Sequence, residues 1–201
     1  MYIGRFVLAG RTPSGRPFLG YRVSSRSFPN RRIVLEAGTA AVLPLKDAPP
    51  TDNPYISYNC LRSEGDIAVV ANGSHTDPIF EKVCSGYPLR DALALSLLAL
   101  DYEHDSLNTP RIAAAWSGEV ALLGIVTDQG LLVQQICAQP GHASLIATYG
   151  LTRPSEISVG SENVTDLAAE IYSLPYSHPV AALAVLLGTE GGAAVAGPVR
   201  S

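Results

Sequence analysis

Short apolar runs alternate with clusters of turn-forming residues along the first seventy positions, and the period changes near residue 77. Residues 2–9 form a β-type apolar run. Gly10-Arg-Thr-Pro-Ser-Gly15 supplies turn chemistry before a second run over 17–24, so 2–24 is predicted as a hairpin. Pro29 blocks continuation. Strands are predicted over 32–36 and 39–45, around Ala37-Gly38, followed by a surface loop over 46–54 rich in Asp, Asn and Pro. Residues 55–61 alternate polar and apolar positions, and 66–71 is a further apolar run.

Asp77-Pro78 then reads as a helix start, with Asp77 as cap, residues 79–85 as two turns and Gly86 as the stop. Pro88 opens a longer helix to about Glu103. That segment is apolar almost all round, which predicts burial on more than one side. Strand patterns resume over 111–116, 120–126, 131–138 and 142–149. Residues 163–172 show helical spacing with Ser161 as a cap. Residues 178–187, between Pro179 and Gly188, are predicted as a second C-terminal helix, and the Ala/Gly-rich tail over 191–201 carries little information. Strands, two helices, strands, two helices is an α+β order. Hairpin-type turns favour antiparallel sheets. Two sheets packed face to face with helices outside each satisfy this order; a single sheet covered on one side is the competing arrangement. No repeat or linker divides the chain, so residues 1–201 are expected to form one domain.

Composition narrows the classes. The chain has 201 residues, 47% hydrophobic and 16% charged, which suits a protein with a substantial core. No apolar run reaches the length of a membrane span, and the start lacks a signal-peptide pattern, so a cytoplasmic, non-membrane protein is expected. Three cysteines and four histidines lack disulfide-framework or metal-site spacing, so no metal is expected. The net charge of -4 hides a split. Residues 1–35 carry seven arginines and no acid, whereas the rest of the chain sets seven cations against eighteen acids. Aromatics are not interleaved with the arginines, which argues against nucleic acid.

Four polar segments interrupt the apolar elements, each at an element end, where a rigid scaffold can present reactive groups. Tyr21–Arg32 offers Arg22, Arg26, Arg31 and Arg32 with Ser24, Ser25, Ser27 and Asn30 between them. That set suits a phosphate or carboxylate, or else forms a solvated basic face. Asn72-Gly-Ser-His-Thr-Asp77 precedes a helix, where Gly73, Ser74 and backbone N–H groups can face an anion; a capped polar turn is the plainer reading, and His75 alone is a weak signal. Asp101, Glu103 and Asp105 sit at a predicted helix C-terminus against the dipole. This suggests either a carboxylate tuned for acid–base work or partners for the N-terminal arginines. Tyr58-Asn59-Cys60 offers a phenol, an amide and a thiol, and Cys60 reads best as a buried structural thiol.

Taken together, these words resemble the archaeal-type IMP cyclohydrolase family. The matching stretches are Tyr21-Arg-Val-Ser-Ser-Arg-Ser-Phe-Pro-Asn-Arg31, Asn53-Pro-Tyr-Ile-Ser-Tyr-Asn-Cys60, Val70-Ala-Asn-Gly-Ser-His-Thr-Asp77, Leu89-Arg-Asp-Ala92 and Asp101-Tyr-Glu-His-Asp-Ser-Leu-Asn-Thr-Pro-Arg111. The resemblance covers residues 21–115 and loosens after about residue 130. It implies a four-layer αββα sandwich similar to the N-terminal-nucleophile hydrolases, although the chain starts Met1-Tyr2 with no Cys, Ser or Thr as a nucleophile. It implies closure of the purine ring: 5-formamidoimidazole-4-carboxamide ribonucleotide (FAICAR) to IMP plus water, without metal or cofactor. It also implies a homo-oligomer, expected as a tetramer. On that reading Arg22 and Arg26, with Ser25 or Ser27, hold the 5′-phosphate, and Asn30 binds the substrate. Tyr58 and Glu103 are the acid–base pair with Asn59 beside them, and Asn72, Gly73, Ser74, His75, Asn108 and Arg111 bind or orient the substrate. The alternatives are a thiol-dependent amidohydrolase using Cys60 and a non-catalytic nucleotide-binding module.

Overall fold

The computed structural model describes residues 1–188 and 191–198, so the part of the tail over 199–201 lies outside the described residues. The elements are β1 (Phe6–Arg11), β2 (Pro17–Ser24), β3 (Arg31–Glu36), β4 (Thr39–Pro44), β5 (Tyr58–Glu64), β6 (Ile67–Ala71), α1 (Thr76–Cys84), α2 (Leu89–Leu100), β7 (Arg111–Ser117), β8 (Val120–Thr127), β9 (Gly130–Ile136), β10 (His142–Ala147), β11 (Ser155–Ser158), α3 (Val164–Ser173), β12 (Pro179–Leu186) and β13 (Gly192–Ala196).

The strands form two antiparallel sheets, a six-stranded one in the order β11-β10-β1-β2-β12-β13 and a seven-stranded one in the order β3 to β9. This is an α+β fold, and the single-sheet arrangement is excluded. The sheets face each other across one apolar layer. Val7, Leu19 and Leu183 come from the six-stranded sheet, and Val42, Leu61, Ile112 and Leu123 from the other. A second cluster joins the outer face of the six-stranded sheet to Leu167, Ala168 and Ile171 of α3. A third joins the outer face of the seven-stranded sheet to Ile79, Phe80 and Leu93 of α1 and α2. Period-2 alternation sends successive side chains of each inner strand to opposite faces. In β2, Tyr21 points between the sheets, while Arg22 points out under α3.

The second C-terminal helix is corrected: residues 179–186 are β12, which lies between β2 and β13. A strand buried on both faces is apolar throughout, so its pattern has no alternation to mark it as β. Strands β11 and β13 were not expected. α2 ends at Leu100 rather than Glu103, because Asp101 adopts a positive φ of 53°. One side of α2 is exposed, contrary to the expectation of burial on several sides. Asp77 does not cap α1; the cap position is His75, without a side-chain bond. Asn163, not Ser161, caps α3 through the Asp166 amide. Among the described residues no helix is long and apolar enough to cross a membrane.

Candidate active site

Tyr2, Gly4 and Arg5 lead into β1 and meet three other segments: the loop after β2, the loop before β5 and the chain between α2 and β7. Together they enclose a cleft lined by Ser25, Arg26, Ser27, Phe28, Arg31, Tyr55, Glu103, Asp105, Thr109 and Tyr149, among others. Gly4 is required here. It has φ 72°, and a Cβ on it would lie 2.0 Å from Thr148 Oγ1, so any side chain would push strand ends apart at the cleft wall.

An ion pair forms the floor: in sequence the acids around Glu103 read as acid–base groups or as partners for the N-terminal arginines, and Arg5, which no motif singles out, is the partner of Glu103. Arg5 Nη1 and Nη2 donate to Glu103 Oε1 and Oε2 at 3.0 and 2.8 Å, a bidentate fork, and Nη1 also donates to the Asn72 carbonyl at 3.1 Å. Glu103 is only 2% exposed, yet it borders the cleft. Burial alone would lower the Arg5 pKa; the Glu103 carboxylate outweighs it and holds the guanidinium well above its usual value. Each carboxylate oxygen retains acceptor capacity after one bond from Arg5. Behind the floor, the Tyr21 and Tyr58 hydroxyls lie 2.6 Å apart, bonded across the two sheets. Burial, and then Tyr58, raise the Tyr21 pKa well above its usual value.

Asp105 braces the wall. It accepts from the Leu107 and Thr109 amides and from the Thr109 hydroxyl, which also shares a 2.9 Å bond with Tyr149 Oη. Burial pushes the Asp105 pKa up, but those bonds outweigh it and leave the carboxyl below its ordinary range. On the same cleft lining, Ser25 Oγ accepts from the Phe28 amide, Arg26 lies 4.3 Å over the Tyr2 ring, and Arg31 Nε donates to the Phe28 carbonyl. These residues present guanidinium and hydroxyl donors to the same cleft that Glu103 lines as an acceptor.

The cleft thus brings together Ser25, Arg26, Ser27 and Glu103; Tyr58 is not part of its lining, being buried with its hydroxyl bonded to Tyr21. Arg22 does not belong to it. That side chain is 0% exposed and donates to the Tyr172 carbonyl in the last turn of α3, to the Leu174 and Tyr176 carbonyls just after it and to Ser24 Oγ, so its strand position aims it away from the cleft. Asn59 also points away: it donates to the Asp77 carboxylate, which pairs with Arg62. Asn30 lines an adjoining pocket with Pro49 and Pro50. Asn72 is buried and supports the loop from behind, accepting from the Ile112 amide and donating to the Pro110 carbonyl. Ser74 is exposed outside the cleft lining. Asn108, at φ 47°, forms the turn that closes on Asp105.

Gly73 makes room for Arg111, whose Nη1 would lie 2.6 Å from a Cβ there. Arg111 stacks over Tyr55 at 5.7 Å and so meets the cleft through that ring. His75 is buried, and its Nε2 donates to the Ile112 carbonyl at 2.9 Å. Burial pulls its pKa down to about 3, so it is neutral. Cys60 lies in the inter-sheet core with its thiol pKa raised by burial, the opposite of an activated nucleophile. The sequence signal for Arg5 was a lone charge opening an apolar strand. Buried charges demand partners.

The fold and cleft define a class: an α+β protein of two facing sheets with a cleft that sets guanidinium and hydroxyl donors beside a buried carboxylate. Comparison is more specific. Residues 2–191 match the family described as IMP cyclohydrolase-like protein, and the chain belongs to that family. It is 51% identical over 183 residues to a Methanocella arvoryzae protein named IMP cyclohydrolase, covering 90% of each chain. A protein of the same name from Natronomonas pharaonis is 51% identical over 187 residues, 92% of this chain and 93% of the relative. One from Methanococcus maripaludis is 44% identical over 192 residues, 93% and 96% of the two chains.

Proposed function

We propose that the protein is an IMP cyclohydrolase of purine biosynthesis, a hydrolase-class enzyme that converts FAICAR to IMP plus water. The observation that carries the reading is one cleft whose lining joins the Arg5–Glu103 ion pair to Arg26, Arg31, Ser25 and Ser27. Close relatives of nearly full length bear the same name. The 5′-phosphate takes the guanidinium and hydroxyl donors. The base lies against Glu103 and Tyr149.

The carboxamide nitrogen forms a bond to the formyl carbon and gives up a proton. The formyl oxygen takes up protons and leaves as water, as the formamido nitrogen loses its proton and the ring C=N bond closes. Glu103, an acceptor in its ion pair, takes the amide proton. Tyr58 is assigned as the donor toward the formyl oxygen, which requires substrate to reach past the cleft lining to a hydroxyl now bonded to Tyr21, and Arg111 adds positive charge behind Tyr55. Positioning the two ends of one molecule supplies much of the acceleration, and each acid–base group contributes about 10²–10⁴-fold. The thiol route is not favoured, because Cys60 is buried in apolar surroundings. Residues 1–201 act as one domain of the N-terminal-nucleophile hydrolase type, in a cytoplasmic homo-oligomer, as a tetramer.

The test is an absorbance assay with the formylated substrate. The wild-type chain forms IMP, and Glu103→Gln and Tyr58→Phe lose turnover by about 10²-fold or more while retaining IMP affinity. No IMP formation by the wild type would leave only a binding module. Wild-type rates in both variants would remove the acid–base assignment.

A further inference from the structure

Tyr149 lines the cleft, and the acid–base assignment makes no use of its hydroxyl. The hydrogen-bond polarity of that hydroxyl is fixed by a short chain of side chains that starts at Asp105. Burial raises the Asp105 pKa, but the Thr109 hydroxyl and the Thr109 and Leu107 amides outweigh it, so the carboxyl is ionised at neutral pH and can only accept. Thr109 Oγ1 donates its single proton to Asp105 Oδ2 at 2.8 Å. No proton remains on Thr109 for its 2.9 Å bond with Tyr149 Oη, so the phenol donates there. A phenol has one proton. With that proton committed, Tyr149 Oη offers a ligand in the cleft acceptor capacity alone.

The ring is held as firmly as the proton. Gly4 packs against it: a Cβ on Gly4 would lie 2.7 Å from Tyr149 Cδ2. The Tyr149 amide donates to the Ile3 carbonyl, and the Tyr2 ring centre lies 6.0 Å from that of Tyr149. A group already fixed in place loses little freedom when a ligand binds, which favours selective recognition of one polar atom.

A run of contacts locates this acceptor along the cleft. Arg26 lies over the Tyr2 ring, Tyr2 adjoins Tyr149, Tyr149 bonds Thr109, and the Thr109 carbonyl accepts from the Glu103 amide at 2.8 Å. On the reading above Arg26 meets the phosphate and Glu103 the base. Tyr149 comes between them in the run, as the sugar comes between phosphate and base in a nucleotide. The sugar carries neutral donors, its 2′ and 3′ hydroxyls. An anionic group would find in Tyr149 no donor, and the Asp105 charge behind it.

We propose that Tyr149, its proton directed to Asp105 through Thr109, accepts a hydrogen bond from a ribose hydroxyl and so selects ribonucleotides over their deoxy forms. This rests on the nucleotide reading of the cleft. Tyr149 is the specificity-determining residue, and Thr109 and Asp105 position it. A deoxy ligand leaves the phenol oxygen without its partner, and a site built to pair a hydroxyl rejects the analogue that lacks one.

Calorimetric titration of the full chain with IMP, 2′-deoxy-IMP and 3′-deoxy-IMP tests this. The wild type is expected to bind at least one deoxy analogue about tenfold or more weakly than IMP. Fluorine in place of the recognised hydroxyl cannot donate, so the fluoro analogue should bind no better than the deoxy form. Tyr149→Phe should bring the ratio of IMP to deoxy affinity down to about one, whereas a merely loosened cleft would weaken both ligands alike and leave the ratio in place. Thr109→Val, which removes the acceptor of the phenol proton and keeps the Thr109 backbone, should lower the same ratio. Equal wild-type affinity for IMP and both deoxy analogues would overturn the proposal, and that comparison needs no variant to fold. So would an undiminished ratio in Tyr149→Phe. A wild type that binds no IMP would remove the nucleotide reading itself, and this proposal with it.

Discussion

Arg5 and Arg22 belong to the same basic segment, one just before β1 and the other on β2, and both are buried, yet they do opposite things. Phe6 pairs with Arg22 in register, so one step of alternation separates the two fates. Arg5 turns between the sheets and meets a carboxylate. Arg22 turns outward, stacks 5.0 Å from the Phe6 ring and, among the described residues, meets neutral oxygens at the end of α3, just after it and on Ser24. Burial lowers both pKa values. For Arg5, Glu103 reverses the direction; for Arg22, with no anion nearby, the value falls to about 10. The lesson concerns partners. A buried guanidinium held by carbonyls is a structural tie, whereas one held by a carboxylate at a cleft fixes charge where chemistry can use it.

The sharpest way to break this contrast is Arg22→Ala. Losing the tie strands several buried carbonyls, and denaturant melts should show a stability loss of about 3–5 kcal/mol. Turnover per folded molecule should stay within about twofold; a specific loss of turnover would put Arg22 back in the cleft. Arg5→Met should do the reverse in kind. It leaves Glu103 without its fork, and kcat should drop about 10²–10³-fold with a smaller change in KM. An unchanged kcat would reduce the ion pair to a second structural tie.

His75 adds a third buried base, one that stays neutral. Its folded pKa of about 3 lies below the usual value of 6.5. The unfolded chain therefore binds a proton that the folded chain refuses between those limits. This contribution to stability is complete above about pH 6.5 and is lost as the pH falls toward 3, at up to about 1.4 kcal/mol per pH unit. Melts of His75→Gln should show a shallower acid limb, and an unchanged slope would mean that other groups set it. The smallest expected effect is at the exposed end of the same basic run. Arg26→Ala should raise KM about 10- to 100-fold with little change in kcat, the size of one charge-assisted contact. A kcat effect instead would move the phosphate end elsewhere.

Much of this was legible in the sequence. The turn at 10–15, the paired strands and the α+β order followed from local chemistry. Glu103 stood out because acids gathered where a helix dipole disfavours them. Other features needed three dimensions. Residues 179–186 lack alternation because both faces of β12 are buried. Arg22 looked like an anion ligand because its neighbours did, and only strand parity tells Tyr21 from Arg22. The same parity turned Asn59 toward Asp77 and left Tyr58 facing inward. Arg5 carries no motif, and its partner lies 98 residues away, a separation no local pattern can reveal.

That separation also has a direction in time. The seven-stranded sheet is drawn from one uninterrupted stretch, Arg31 to Ile136, while the six-stranded sheet takes its central hairpin from the start of the chain and its flanking strands from after residue 141. On a ribosome adding about 5–20 residues per second, the first hairpin emerges and then waits on the order of ten seconds for β10 and β12 to flank it. Arg5 is translated early and buried late. During that interval the hairpin carries two unpaired edges and an unanswered charge, so slowing synthesis between residues 24 and 142 should cost soluble yield more than slowing it anywhere else in the chain.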